Sequence, residues 1–195
     1  MPLAVITIWF DYACPHSYIG LKQLEQSAAE IGFEIDRRPF LLRKNSIEKP
    51  LVQRERKILT DVSLRQPLYK PGESLGTEPA SNRSVSTLAV HAATAYAKDM
   101  DLDCEFFWAS SKEYWEQGTD LANLYTLRRL AISVGLDWRT MWSKLEAGEY
   151  HALVVDQHEA AVEAGVTLTP SFLIDGRLHS GPINPGELEE AVQVD

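Results

Sequence analysis

Residues 6–20 read Ile-Thr-Ile-Trp-Phe-Asp-Tyr-Ala-Cys-Pro-His-Ser-Tyr-Ile-Gly. A β-branched and aromatic run stops at Asp11, and Cys14 stands directly before Pro15, whose fixed φ and missing N–H suit the first position of a helix. The pattern predicts a strand that delivers Cys14 to a helix N-terminus. There the unpaired N–H groups and the positive end of the helix dipole favour a thiolate over a thiol. His16, when protonated, adds a positive charge nearby. The hydroxyl of Ser17, on the same helical face, can donate a hydrogen bond to that thiolate. Ser17 also stands where a dithiol motif would carry its second cysteine, so Cys14 reads as a single-thiol nucleophile. The position also suits a small buried packing cysteine.

A family resemblance rests on three stretches. Residues 10–20 resemble the opening of the DsbA-like thioredoxin-fold superfamily, and the Asp-Tyr before Cys14 and the Tyr-Ile-Gly after Ser17 are most similar to its FrnE-like branch. Residues 165–176, Gly-Val-Thr-Leu-Thr-Pro-Ser-Phe-Leu-Ile-Asp-Gly, resemble the segment that carries this fold's cis-proline. Residues 180–185, Ser-Gly-Pro-Ile-Asn-Pro, are similar to the turn before its last helix. The resemblance implies an α/β, thioredoxin-like fold with a large inserted all-helical subdomain. It also implies that Pro170 is cis and lies against the active cysteine, with Thr169 offering its N–H and C=O to an extended thiol peptide such as glutathione. The expected catalytic residues are therefore Cys14, His16 and Ser17, and the expected substrate-binding residues are Pro15, Thr169 and Pro170. Two departures bear on the chemistry. FrnE-like and DsbA-like oxidoreductases normally have a second cysteine at the position of Ser17. The related kappa-class glutathione transferases and 2-hydroxychromene-2-carboxylate isomerases usually have serine at the position of Cys14.

The 195 residues, with a net charge of −9, fit a globular protein with a sizeable core and argue against nucleic acid or an anionic membrane as a general partner. A local basic cluster, Arg37, Arg38, Arg43, Lys44, Arg54, Arg56 and Lys57, reads mainly as solvated charge. Two cysteines make no disulfide framework, and Cys104 reads as a packing residue. The N-terminus lacks a basic region, and its apolar stretch at 3–10 is short and used as strand, so no secretory signal is read. A reducing, cytoplasmic setting is expected, with no metal site and no tightly bound cofactor.

Along the chain, strand at 3–10, helix at 15–31 and an outer strand at 33–40 form a strand, helix, strand opening. Residues 43–148 then show helical patterns: 50–62, a face repeating at Val85, Leu88, Ala92 and Tyr96, and helices at 104–116, 121–134 and 137–146. Asp120 and Asp137 are the candidate caps or first-turn acids, and prolines and glycines mark an irregular connection at 67–79. A helix at 150–164 precedes a hairpin around Asp175-Gly176-Arg177, and a helix at 185–194 closes the chain. The expected division is a thioredoxin-like domain of residues 1–42 and 149–195 around a helical subdomain of residues 43–148. His151 and His158, seven apart, read as solvated side chains.

These readings leave three functions open. The first is a thiol-disulfide oxidoreductase or thioltransferase: Cys14 attacks a disulfide or glutathionylated substrate, and an external thiol such as glutathione resolves the product. The second is a kappa-like glutathione-dependent transferase or isomerase. The third is a non-catalytic peptide-binding module. The oligomeric state is open, a homodimer included.

Overall fold

The computed structural model describes residues 4–42 and 86–183, with Gly186, Leu188 and Glu190 beyond them. The helix expected at 50–62, the connection at 67–79 and the basic residues at 43–57 lie outside the described residues. Of the closing helix, positions 186, 188 and 190 are described and helical. The chain divides into two compact units, residues 1–42 with 155–195, and residues 43–154.

The first unit holds β1 (Val5–Phe10), α1 (Pro15–Ser27, continued by a π-helical turn Ala28–Gly32), β2 (Glu34–Pro39), β3 (Ser171–Ile174) and β4 (Arg177–Ser180). They form one sheet in the order β2-β1-β3-β4, with β2 parallel to β1, and β3 and β4 antiparallel to their neighbours. This is the thioredoxin-like arrangement. Because β1 is central and covered on both faces, it is buried at every position after Val5, which explains its near-continuous apolar sequence. Alternation divides its side chains between the two faces. Ile6, Ile8 and Phe10 share a face with Phe172, the partner of Ile8 across the β1–β3 ladder. On the opposite face Trp9 packs with Phe40, Ala161, Val166 and Leu173. Each large side chain fully withdrawn from water here contributes about 1.5–3 kcal/mol. In the hairpin, Asp175 and Gly176 both take positive φ, 46° and 70°, the geometry of a two-residue turn between twisted strands. Arg177, expected in that turn, pairs with Ile174 as the first residue of β4.

Every described element between β2 and β3 is a helix: α2 (Leu88–Asp99), α3 (Asp103–Gln117), α4 (Leu124–Ser133), α5 (Trp138–Glu146) and α6 (Glu149–Glu163). The boundary between the units falls within α6. α2 is buried from Val90 to Thr94 and again at Tyr96 and Ala97, where it packs against α3 and α5. Asp137 caps α5 as expected, its carboxylate accepting the Thr140 N–H at 2.7 Å. α4 begins three residues later than expected, at Leu124. Asn123 is its cap, accepting the Tyr125 N–H at 2.8 Å, while Asp120 folds the preceding turn by accepting the Ala122 N–H. Glu113 of α3 pairs with Arg129 of α4 and accepts from Thr119, which holds its carboxyl below the usual carboxylate range. Among the described residues no helix is long and apolar enough to cross a membrane.

Neither histidine of α6 is fully exposed. His158 is 3 % exposed, and its Nδ1 accepts the Leu41 N–H at 3.1 Å, which places the proton of its neutral ring on Nε2. His151 is half-buried, and burial pushes its pKa down, partly offset by a hydrogen bond to the backbone of Leu145. The unfolded chain therefore binds a proton at His151 more readily than the folded protein does. This contribution to stability is complete above about pH 6.5 and is lost as the pH falls below it. Denaturant titrations near pH 7.5 and pH 5.5 should show a loss in acid that is smaller in His151→Gln.

Candidate active site

β1 is buried to its last residue, so the chain leaving it must find partners for its polar groups within the protein. Asp11, 2 % exposed, supplies them. Its N–H donates to Ser17 Oγ at 3.4 Å, and its carbonyl accepts the Cys14 N–H at 3.0 Å. Its Oδ1 accepts the Ala13 N–H at 2.9 Å, closing a tight turn, and its Oδ2 accepts the Leu42 N–H at 2.8 Å. The turn ends at Cys14, the N-cap residue of α1 (φ −97°, ψ 113°), with Pro15 as the first helical residue. The Cys14 carbonyl accepts from Ser17 N–H and Tyr18 N–H at 3.1 and 3.3 Å.

The sulfur reaches across to the other end of the chain. Cys14 Sγ donates to the Thr169 carbonyl at 3.3 Å, and the Thr169–Pro170 peptide is cis. That loop is braced on its own side: Ser171 Oγ donates to the Leu168 carbonyl, and Gly181 N–H donates to the Pro170 carbonyl, both at 2.8 Å. Gly20 of α1 brings the helix against the same loop. A Cβ built there would lie 3.4 Å from both Pro170 Cγ and Phe172 Cζ.

The fold thus gathers Cys14, Ser17, Thr169 and Pro170, with Pro15 and His16 half-buried in the first turn of α1. Cys14 is 6 % exposed. Ser17 has a different partner from the one expected: its hydroxyl accepts the Asp11 N–H, and the thiol's partner is the Thr169 carbonyl. That carbonyl can only accept, so the contact requires the proton on sulfur. Cys104 is half-buried in the first turn of α3, and neither cysteine is in a disulfide. The expected site residues omit Asp11 and Gly20. The available signals are a carboxylate directly after an apolar strand and a glycine inside a helix, each common enough to pass unnoticed.

Residues 5–193 match the DSBA-like thioredoxin domain, and the chain belongs to that family. A curated relative, the uncharacterized protein YwbO of Bacillus subtilis, is 24 % identical over 193 residues, covering 96 % of this chain and 94 % of its own. Three solved structures share the fold. The probable DsbA oxidoreductase SCO1869 from Streptomyces coelicolor has a TM-score of 0.71 at 18 % identity, covering 97 % of this chain and 88 % of its own. A 2-hydroxychromene-2-carboxylate isomerase has 0.69 at 16 %, covering 96 % and 93 %. The cytosolic disulfide reductase DsbM from Pseudomonas aeruginosa with GSH has 0.63 at 16 %, covering 97 % and 93 %.

Two positions test this construction. Asp11→Ala removes two charge-assisted hydrogen bonds and strands the Ala13 N–H, and should cost about 2–3 kcal/mol in chemical denaturation. It should also change the rate at which Cys14 is alkylated. Gly20→Ala places its methyl at ordinary contact distance and should lie within about 1 kcal/mol of wild type in the same assay. Gly20→Leu forces the helix off Pro170 and Phe172 and should cost about 1–3 kcal/mol.

Proposed function

We propose that the protein is a thiol-disulfide exchange enzyme working through the single thiol Cys14. The supporting observation is the placement of Cys14 Sγ, at the N-cap of α1 and in contact with the carbonyl before the cis proline, with Ser17 rather than a second thiol in the first helical turn. In the exchange step the Cys14 thiolate attacks one sulfur of R–S–S–R′. A Cys14–S–S–R bond forms, the original disulfide breaks, and R′–S⁻ leaves to take a proton from solvent. The hydroxyl of Ser17 cannot open that mixed disulfide. A second, external thiolate attacks the R sulfur, forms a new disulfide with R and releases Cys14 as thiolate, so no net electrons are gained by the protein.

An external resolving thiol implies a compartment that supplies one, and glutathione in a reducing cytoplasm is the reading we favour. The P. aeruginosa disulfide reductase with GSH supports glutathione as the first probe. The substrates proposed are disulfide-containing or glutathionylated molecules that lie extended along Thr169 and Pro170.

The test is mass spectrometry of the full chain after exposure to oxidised glutathione near neutral pH, with Cys14→Ser as control. One glutathione adduct, located on Cys14 and removed by reduced glutathione, is the expected result, and Cys14→Ser should form none there. An unmodified Cys14 would overturn the exchange reading. Retention by Cys14→Ser of a glutathione-dependent isomerase activity would replace it with the isomerase reading.

A further inference from the structure

Where the β1–β2 ladder ends, three consecutive N–H groups are taken by three different partners. Phe40 N–H donates to the Phe10 carbonyl at 2.9 Å, beside the end of β1. Leu41 N–H donates to His158 Nδ1 at 3.1 Å, and Leu42 N–H donates to Asp11 Oδ2 at 2.8 Å. Phe40 and Leu41 are buried, so water does not stand in for the ring nitrogen. His158 is itself oriented, its ring meeting that of Phe40 edge-on with centroids 4.7 Å apart.

For packing alone, His158 is a costly choice. A buried imidazole must be matched with polar partners, and an apolar side chain would fill the same space without that requirement. What the neutral ring supplies is an acceptor, at the place where the chain after β2 turns a donor towards α6. This contact lies one peptide unit from the one made by the Asp11 carboxylate. Asp11 Oδ1 accepts the Ala13 N–H and the Asp11 carbonyl accepts the Cys14 N–H, so the residue that receives Leu42 also shapes the turn bearing the thiol. With the Leu42 N–H in place, each carboxylate oxygen has a donor and the plane of the group is fixed. Without it the carboxylate can turn about its Cβ–Cγ bond, and the Ala13 contact weakens.

We propose that His158 is a positioning residue for Cys14, acting through the backbone of Leu41 and Leu42 and the carboxylate of Asp11. The ring holds the Leu41 N–H, the next peptide keeps Leu42 in register with Asp11, and Asp11 holds the turn that seats Cys14 at the start of α1. The inference rests on Cys14 as the reacting thiol.

The experiment follows alkylation of the full chain by iodoacetamide near pH 7, read by mass spectrometry separately for the Cys14 and Cys104 peptides. His158→Phe keeps a ring at this position of α6 and removes the acceptor. Cys14 should then react about fivefold more slowly than in wild type, because the helix N-terminus favours a thiolate only while the turn holds the sulfur there. Cys104 should keep its wild-type rate. His158→Asn restores an acceptor the same number of bonds from the backbone as Nδ1, and should bring Cys14 back to within about twofold of wild type. The amide of His158→Gln lies one bond farther out, so this variant should be as slow as His158→Phe, and it takes that variant's place if the phenylalanine chain does not fold. In the Asp11→Ala background, loss of the ring should slow Cys14 no further, because both changes act through one route. A Cys14 rate at or above wild type in the variants lacking the acceptor overturns the proposal, and faster reaction of both cysteines would mark a general loosening of the fold instead. Equal slowing in His158→Asn, or an additive effect with Asp11→Ala, overturns it as well. A wild type that is alkylated at Cys14 but forms no glutathione adduct defeats the exchange reading and leaves this comparison intact.

Discussion

The site depends on how the chain leaves β1. A central strand covered on both faces can be apolar throughout, but its end has no water to satisfy the next residue's polar groups. Asp11 satisfies its own and those of its neighbours. Its main chain ties Cys14 and Ser17, and its carboxylate ties Ala13 and Leu42. The same carboxylate therefore sets the conformation of the turn that presents the thiol and fastens the segment after β2.

The sulfur is consequently held between two segments far apart in sequence. The first turn of α1 fixes Cys14 from one side, and the braced loop around Pro170 meets it from the other. At Gly20 the helix and the loop leave room for no more than a methyl between them. Ser17, buried and bound to the Asp11 N–H, contributes to the frame of the turn, while the Thr169 carbonyl is the hydrogen-bond partner of the thiol.

Local signals are the readable part of the fold. β1, α1 and the hairpin can be placed from sequence because each has a nearby physical cause: a run of β-branched residues, a proline at a helix start, and an Asp-Gly pair that accepts positive φ. The start of α4 is not legible in the same way. Asp120 and Asn123 are both capable caps, and the choice between them depends on where Leu127 and Leu130 must point to be buried. The burial of His158 is hidden for a similar reason. Nothing in its neighbours along α6 reveals that the backbone N–H of Leu41 needs its ring nitrogen.

The order of the amino acids is enough to read the thioredoxin-like class, the place of Cys14 at a helix start and a serine rather than a second thiol at position 17, and the family resemblance adds the proline-bearing loop as the other half of the expected site. It does not establish which partner each polar group takes, which is settled by three-dimensional packing. The thiol goes to the Thr169 carbonyl, the Ser17 hydroxyl to Asp11, and Asp11 becomes the organiser of the turn. The physical reason is burial. Helix starts and turns are set by residues a few positions apart, whereas a buried donor or acceptor must use whatever lies within about 3 Å, and that is known only once distant segments have packed together.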